Sequence, residues 1–407
     1  MKIAIVGGGA SGVFCAIKLA ENKNATIHIY EKSSELLKKV KISGGGRCNV
    51  THQYISPAQF TKNYPRGAKI QKNNFDIFSP NDLVYWFQKR GVALKIEKDG
   101  RIFPTTNSSQ TIIDCFQKEL NKPNIEIFLN TEIQDISQHS NSYQLTTNSQ
   151  TLQYDFVVIA IGGAQKAREL NCFNQSLPHT TIAPVPSLFT FKIDDKALTQ
   201  LMGLSVPQAQ IKIISSPYKE TGPLLITHWG LSGPAILKLS AWGAFYLNEK
   251  NYKFEISVNW LGDEKEQDVQ KQITTNRQLH ANALITNFKP EPIPNRLWEY
   301  FLSKAEINPS KKWHDISKKE ENKLIQLLTN NVYTINGKTT FKDEFVTAGG
   351  IDTQAINTQT MESLTYPKLY FIGEVLNIDG ITGGFNFQNA WTSAIVAAKH
   401  ILSKEIM

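Results

Sequence analysis

The amino-acid sequence predicts an α/β fold built on a parallel sheet, and three observations predict it. The first dozen residues run strand, glycine turn, helix: Lys2-Ile3-Ala4-Ile5-Val6, then Gly7-Gly8-Gly9-Ala10-Ser11-Gly12, then an apolar stretch from Val13 to Ala20. A second run of strand-forming residues, Thr26-Ile27-His28-Ile29-Tyr30, ends in the acid Glu31. Two further runs, at 156–161 and 369–372, are apolar on successive residues, as strands buried on both faces of a parallel sheet should be.

The opening segment carries the chemistry. Gly7, Gly9 and Gly12 fit G-x-G-x-x-G. The first glycine permits the tight turn, the second lets backbone approach a pyrophosphate, and the third lets helix pack closely on strand. Ala10 and Ser11 then open a helix whose free N–H groups and positive dipole end suit phosphate. Glu31 lies 19 residues past Gly12, where an acid takes ribose hydroxyls. An acid there favours an unphosphorylated ribose, hence FAD or NAD over NADP, in a Rossmann-like domain.

Composition narrows the class. With 407 residues there is room for two or three domains. No stretch of eighteen apolar residues occurs, so no membrane insertion is expected. The first strand begins at residue 2, which leaves no room for a signal peptide. Cys15, Cys48, Cys115 and Cys172 have neither zinc-like nor disulfide-like spacing, and they read as reduced thiols of a cytoplasmic protein. The histidines show no metal spacing, so no metal is expected. A net charge of +8 is compatible with an anionic partner, but the lysines are scattered rather than massed, and a solvated lysine-rich surface is the preferred reading.

Along the chain, Leu36 to Ile42 leads into Ser43-Gly44-Gly45-Gly46-Arg47-Cys48-Asn49, a glycine loop that can lie against a phosphorylated ligand. Arg47 and Lys41 are candidates to neutralise a pyrophosphate. Helices are expected from Pro80 to Gly91, with Ser79 as N-cap, and from Gln110 to Leu120. Thr131–Ile136, Ser142–Thr146 and Thr151–Tyr154 read as a strand ribbon. Prolines between 178 and 186 mark a domain boundary. Short antiparallel strands follow through residue 262, forming a small barrel or sheet. Asp263–Phe288 and Asn295–Ala305 read as helices, and Ser317-Lys318-Lys319-Glu320 is a capping box for a third, running to Asn330. Val332–Phe341 returns to strand. The final segment holds Leu369–Ile372, Gly373-Glu374, and Gly380 to Gln388, which opens a helix over Asn389–Ser403. The glycine-rich start of that helix can direct its dipole at a flavin ring.

These motifs resemble the BaiN/YhiN-type flavoprotein family, which includes aminoacetone oxidase-like proteins. The resemblance rests on Gly7–Gly12, on Lys41-Ile42-Ser43-Gly44-Gly45-Gly46-Arg47-Cys48-Asn49-Val50-Thr51, and on Gly100–Pro104 and Ile161–Gly163. It continues through Thr227–Ile236, Thr347–Ile351, Phe371–Glu374 and Gly383–Asn386. It implies a split FAD domain of the two-dinucleotide-binding type, residues 1–186 and 346–407. An inserted β domain would span 187–262 and 332–345, with a helical cap at 263–331. The expected FAD contacts are Gly7, Gly9, Ala10, Ser11, Gly12, Glu31, Lys32, Gly45, Gly46, Arg47, Asn49, Ile133, Ala160, Gly162, Gly373, Glu374, Gly383, Gly384, Phe385 and Asn386. Within that set the resemblance places Ile133 backbone at the adenine, Gly162 where the FAD site closes, and Glu374 at the ribityl chain.

The expected activity is a flavin-dependent oxidoreductase acting on a small organic substrate. NAD(P)H would be a transient electron donor, docking without a nucleotide fold of its own, because no second G-x-G-x-x-G follows a strand. The alternatives are an FAD-dependent tRNA-modifying enzyme and a non-enzymatic flavin-binding protein. Two residues are candidates for chemistry. His228 can donate a proton, with a structural turn histidine as the equal alternative. Cys48 sits beside the cation Arg47, which favours thiolate, yet no second cysteine is close and a packing role is preferred.

Overall fold

The computed structural model describes residues 1–163, 175–339 and 346–404; Cys172 and the end of the expected Val332–Phe341 strand fall outside them. Contacts divide the chain into two units, Met1–Pro186 with Lys342–Met407, and Ser187–Phe341.

The first unit is organised on a seven-stranded sheet. Its order is Ile356–Asn357, Glu362–Ser363, Leu369–Phe371, Phe156–Ile159, Lys2–Val6, Thr26–Tyr30, Ile125–Phe128. The last five strands are parallel. Their β-branched and aromatic side chains are buried almost throughout the three central strands, which explains the continuous apolar runs. Helix Ala10–Leu19 and helix Phe385–Ser403 pack together, with the Phe14 ring 5.5 Å from that of Trp391. The latter helix buries a polar row as well. Gln388 accepts from Thr51 Oγ1 at 2.7 Å and donates to Thr392 Oγ1 at 3.0 Å, while Ser393 Oγ accepts from Gly373 N–H at 2.9 Å. Hydrogen bonding is what makes such burial tolerable.

Helix Pro80–Gln88 carries the Ser79 cap, closed into a box by Asp82. The ribbon forms from Ile133–His139, Ser142–Thr147 and Thr151–Tyr154. One element of this unit differs from expectation. The last helix begins at Phe385, not Asn389, because Gly384, with φ of +93°, is its N-cap. The segment before the glycine loop is helical from Lys38 and breaks at Ser43, whose ψ of 147° is extended.

The second unit is a closed six-stranded barrel, ordered Thr190–Ile193, Gly230–Ser232, Lys219–Thr227, Ser205–Ile213, Lys253–Asn259, Asn331–Thr339. Helices Glu266–Leu279, Asn295–Lys304 and Lys318–Thr329 share its core, where Trp260, Trp298 and Trp313 are buried. The Ser317/Glu320 box caps the third. The first of them stops at Leu279, short of the expected Phe288. Helices Pro234–Trp242 and Ala244–Glu249 replace what read as strand and turn. Among the described residues no helix is long and apolar enough to cross a membrane.

Candidate functional site

Five glycine-bearing segments of the first unit meet at the carboxyl ends of the central strands, some closed by the protein itself and some open. Gly7 has φ of +114° and lies against Ala160, whose carbonyl a Cβ would meet at 2.3 Å. A Cβ on Gly12 would stand 2.0 Å from Gly7 O. Gly9 is the opposite case: a Cβ there would meet nothing within 4 Å. The first and third glycines are closed by the protein itself, while the second faces open space at the N-terminus of helix Ala10–Leu19. Ser11, buried at that terminus, lies under Gly373, whose Cβ would sit 2.5 Å from Ser11 Oγ.

Glu31 faces the same turn. Its Oε2 accepts from Gly8 N–H at 2.8 Å, and its Oε1 accepts from Ser33 N–H at 2.9 Å and Ser33 Oγ at 2.7 Å. Glu31 O accepts from Thr131 N–H at 2.9 Å, which brings the start of the ribbon, at buried Ile133, beside the acid. Lys32 is exposed.

In the second glycine loop, Gly44, Gly45 and Gly46 have φ of +59°, +68° and +80°. Gly44 packs on Asn49 and Phe103, but a Cβ on Gly45 or Gly46 would meet nothing within 4 Å. Asn49 is 8% exposed, and its Oδ1 is buried without a hydrogen-bond partner among the described residues. The charge of Arg47 is directed elsewhere: it pairs with Glu97 at 2.7 Å and lies 4.0 Å over the Phe103 ring. Lys41 pairs with Glu35 at 3.1 Å. Cys48 is fully buried, and burial pushes its thiol up to about 12 against an opposing Ser43 contact, so Arg47 does not make it a thiolate.

On the far side, Gly163 packs under Glu374, which a Cβ would meet at 2.6 Å, and Gly162 lies beside it with φ of +78°. The Glu374 carboxylate accepts from Thr347 N–H at 3.0 Å and pairs with Lys39 at 2.8 Å. Gly384 packs on Thr51 backbone, and Gly383 O bonds His52 Nδ1 at 3.1 Å, with the His52 ring stacked 4.9 Å from Phe385. Asn386 clasps Gly380 through both backbone groups, at 2.8 Å each. Beneath this loop Arg66 forms a two-point ion pair with the fully buried Asp379.

Four contributors were not read from sequence. Lys39 and Thr347 sit in segments already noted, but nothing local marks them as partners of Glu374. The Arg66–Asp379 pair joins residues 313 apart, and no local pattern signals it. His228 belongs to the second unit, where it is exposed on the tip between Lys219–Thr227 and Gly230–Ser232. Among the described residues no group of histidines, cysteines or carboxylates could hold a metal ion.

The arrangement fits a dinucleotide. Gly9, Gly45 and Gly46 leave backbone exposed to a ligand, the helix end at Ala10 offers donors, and Asn49 Oδ1 awaits a partner. Comparison with known proteins agrees. Residues 1–172 match the HI0933-like protein Rossmann domain, and residues 185–346 match the HI0933-like protein barrel and H2TH domain. The chain is 30% identical over 410 residues to the ribosomal RNA dihydrouridine synthase of Escherichia coli (strain K12), covering 98% of this chain and 97% of that protein. It is 25% identical over 406 residues to the 3-dehydro-bile acid delta(4,6)-reductase of Clostridium scindens, covering 98% of each. Among solved structures, the 3-ketosteroid delta1-dehydrogenase of Sterolibacterium denitrificans aligns over 99% of both chains with a TM-score of 0.50 and 12% identity. The FrdA chain of E. coli quinol fumarate reductase aligns with all of this chain and 71% of its own, at a TM-score of 0.50 and 13% identity. At such identities these two speak for the fold alone. Fold, glycine cradle and domain matches agree that the chain belongs to the HI0933-like family, the BaiN/YhiN-type FAD-dependent oxidoreductases.

Proposed function

We propose that this protein is an FAD-dependent reductase that saturates the C5=C6 bond of uridine in ribosomal RNA. The observation that carries the reading is the end-to-end similarity to the ribosomal RNA dihydrouridine synthase, at 30% identity. The net charge of +8 supports a polyanionic substrate. RNA thus moves ahead of the small organic substrate that the motifs first suggested. FAD bound in the cradle would supply the hydride to one carbon, and a proton from solvent or a side chain would go to the other. The protein's part is to bind and orient. The helix end at Ala10–Gly12 takes the pyrophosphate, Glu31 the adenosine ribose, and the Gly383–Gly384 end of the last helix favours negative charge on the reduced ring. NAD(P)H is the proposed donor, binding weakly and in a salt-sensitive way for want of its own phosphate cradle.

The test is anaerobic incubation of the flavin-loaded protein with unmodified ribosomal RNA transcript and NADH or NADPH, followed by nucleoside mass spectrometry. Dihydrouridine is the expected product. A second reading, reduction of a small unsaturated ketone, is favoured by the full-length similarity to the bile acid reductase. Flavin reoxidised by unsaturated ketones, with no dihydrouridine formed, would replace the first reading by the second.

A further inference from the structure

We propose that the His228–Trp229 tip of the barrel unit is a stacking platform for an unpaired RNA base, flanked by Lys192, Lys196 and Arg296 as phosphate contacts. The inference rests on the RNA reading above and assigns it a binding surface.

The first observation is an aromatic ring where none is needed. Of the seven tryptophans, Trp229 is the exposed one, at 42%. It occupies a two-residue hairpin loop, a position that small turn residues ordinarily fill. The backbone does not call for it either. Gly230, with φ of +146°, takes the left-handed step, and its Cβ would strike Phe191 O at 2.3 Å. Trp229 N–H bonds Thr227 Oγ1 at 3.3 Å, and Trp229 O accepts from Ile193 N–H at 3.0 Å. The backbone is pinned while the indole stays in solvent, 4.7 Å from the exposed His228 ring. Met202, 59% exposed, adjoins the tip, since the next residue, Gly203, donates to Ile226 O at 2.9 Å. A rigid loop presenting an open aromatic face suits a planar base.

The second observation is charge. Lys192 lies opposite Gly230 in the strand pairing. Lys196 opens the short helix Lys196–Thr199, and Arg296 donates to Gln200 O at 3.0 Å, so both border the same end of the barrel. All three are exposed, and none has a carboxylate partner among the described residues. The neighbouring acids are Asp194, Asp195 and Glu299. Asp194 is bonded to Asn336, while Asp195 holds Lys304, Tyr300 and the cap of the short helix. Asp194 and Asp195 are engaged within the protein while Glu299 is exposed, and three cations without a carboxylate partner among the described residues suit a phosphate backbone.

The test uses the flavin-loaded protein and a fluorescent single-stranded oligouridylate, read by anisotropy, alongside dihydrouridine formation on ribosomal RNA transcript. Trp229→Ala should weaken oligouridylate binding about 5- to 150-fold with flavin content and melting temperature unchanged, and Trp229→Phe should stay within about threefold of the parent. Replacing Lys192, Lys196 and Arg296 with Ala together should flatten the salt dependence by about two units of log–log slope. If the parent makes dihydrouridine and Trp229→Ala binds oligouridylate as the parent does, the platform is refuted and the RNA reading stands. Equal loss in the Phe and Ala variants would signal hairpin collapse and also refute it. A parent protein that neither binds the oligonucleotide nor makes dihydrouridine would remove the RNA reading itself, and the platform with it.

Discussion

Gly9→Val separates a ligand-facing glycine from a fold-facing one. Gly9 has φ of −81° and ψ of −166°, a conformation any residue adopts, and a Cβ there meets nothing within 4 Å among the described residues beyond its chain neighbours. The cost to the apo-protein is confined to a poorer N-cap, about 0.5–1 kcal/mol. In a chain of this size that lowers the melting temperature by no more than about 2–4 °C. FAD binding should suffer far more, because the added side chain fills the space where pyrophosphate reaches the helix N–H groups. Two charge-assisted hydrogen bonds of about 1.5–3 kcal/mol each amount to about a 100- to 10,000-fold loss of affinity. Gly12→Ala is the counterpart. Its Cβ lands 2.0 Å from Gly7 O and 3.2 Å from Ile5, so it should destabilise the apo-protein by about 1–3 kcal/mol. The assay is flavin-fluorescence titration of apo-protein together with thermal unfolding by circular dichroism. A Gly9→Val protein that fills with FAD like the parent, or that fails to fold, would refute the reasoning.

Glu31→Ala removes the acceptor of three hydrogen bonds in the turn, and FAD affinity should fall roughly tenfold or more, for a loss of about 1–3 kcal/mol; unchanged affinity in the same titration would exclude Glu31 from the site. Arg66→Ala removes the two-point ion pair to the fully buried Asp379 and should cost about 3–5 kcal/mol in urea unfolding, whereas a loss under 1 kcal/mol would mean the pair is solvated. Cys48 should resist alkylation in the native protein between pH 7 and 9, and Cys48→Ala should keep full flavin reduction by NADH. Folded and unfolded thiols are both protonated below pH 9, and between 9 and about 12 the unfolded chain alone ionises, so this group lowers stability as pH rises through that window. Rapid native labelling at pH 8 would contradict the burial.

Legibility in the sequence followed locality. The strand–glycine–helix opening, the Ser79 N-cap, the Ser317 capping box and the apolar parallel strands are written in contiguous residues, and each appears where expected. The barrel-unit helices Pro234–Trp242 and Ala244–Glu249 were missed because Ala235, Ile236, Leu239, Ala241, Ala244 and Leu247 are all buried. These lie at helical spacing, but the apolar residues between them, Leu237, Trp242, Phe245 and Tyr246, hide in the sequence the period that would separate helix from strand. The helix beginning at Glu266 ends nine residues before the expected Phe288, at Leu279, where no glycine or proline marks the end. Within the site, the glycine turns were readable from residue type. Where Arg47 and Glu374 direct their charge was not, since Glu97 and Lys39 reach them through the tertiary fold.

The split of the first unit sets an order of events during synthesis. Strand Phe156–Ile159 is completed on one side by Leu369–Phe371, which leaves the ribosome roughly 210 residues later. At ordinary translation rates that is a wait of about 10–40 s. Throughout it the strand presents an apolar, unpaired edge, the kind of template that recruits other chains. The last helix, with Gly384 at its head, emerges later still. The nascent protein therefore acquires its cofactor cradle only after the barrel unit has been synthesised, while that intervening barrel has its own core and is free to form first. Conditions that slow elongation across residues 187–341 should lower the yield of native protein by aggregation, without any change in its equilibrium stability.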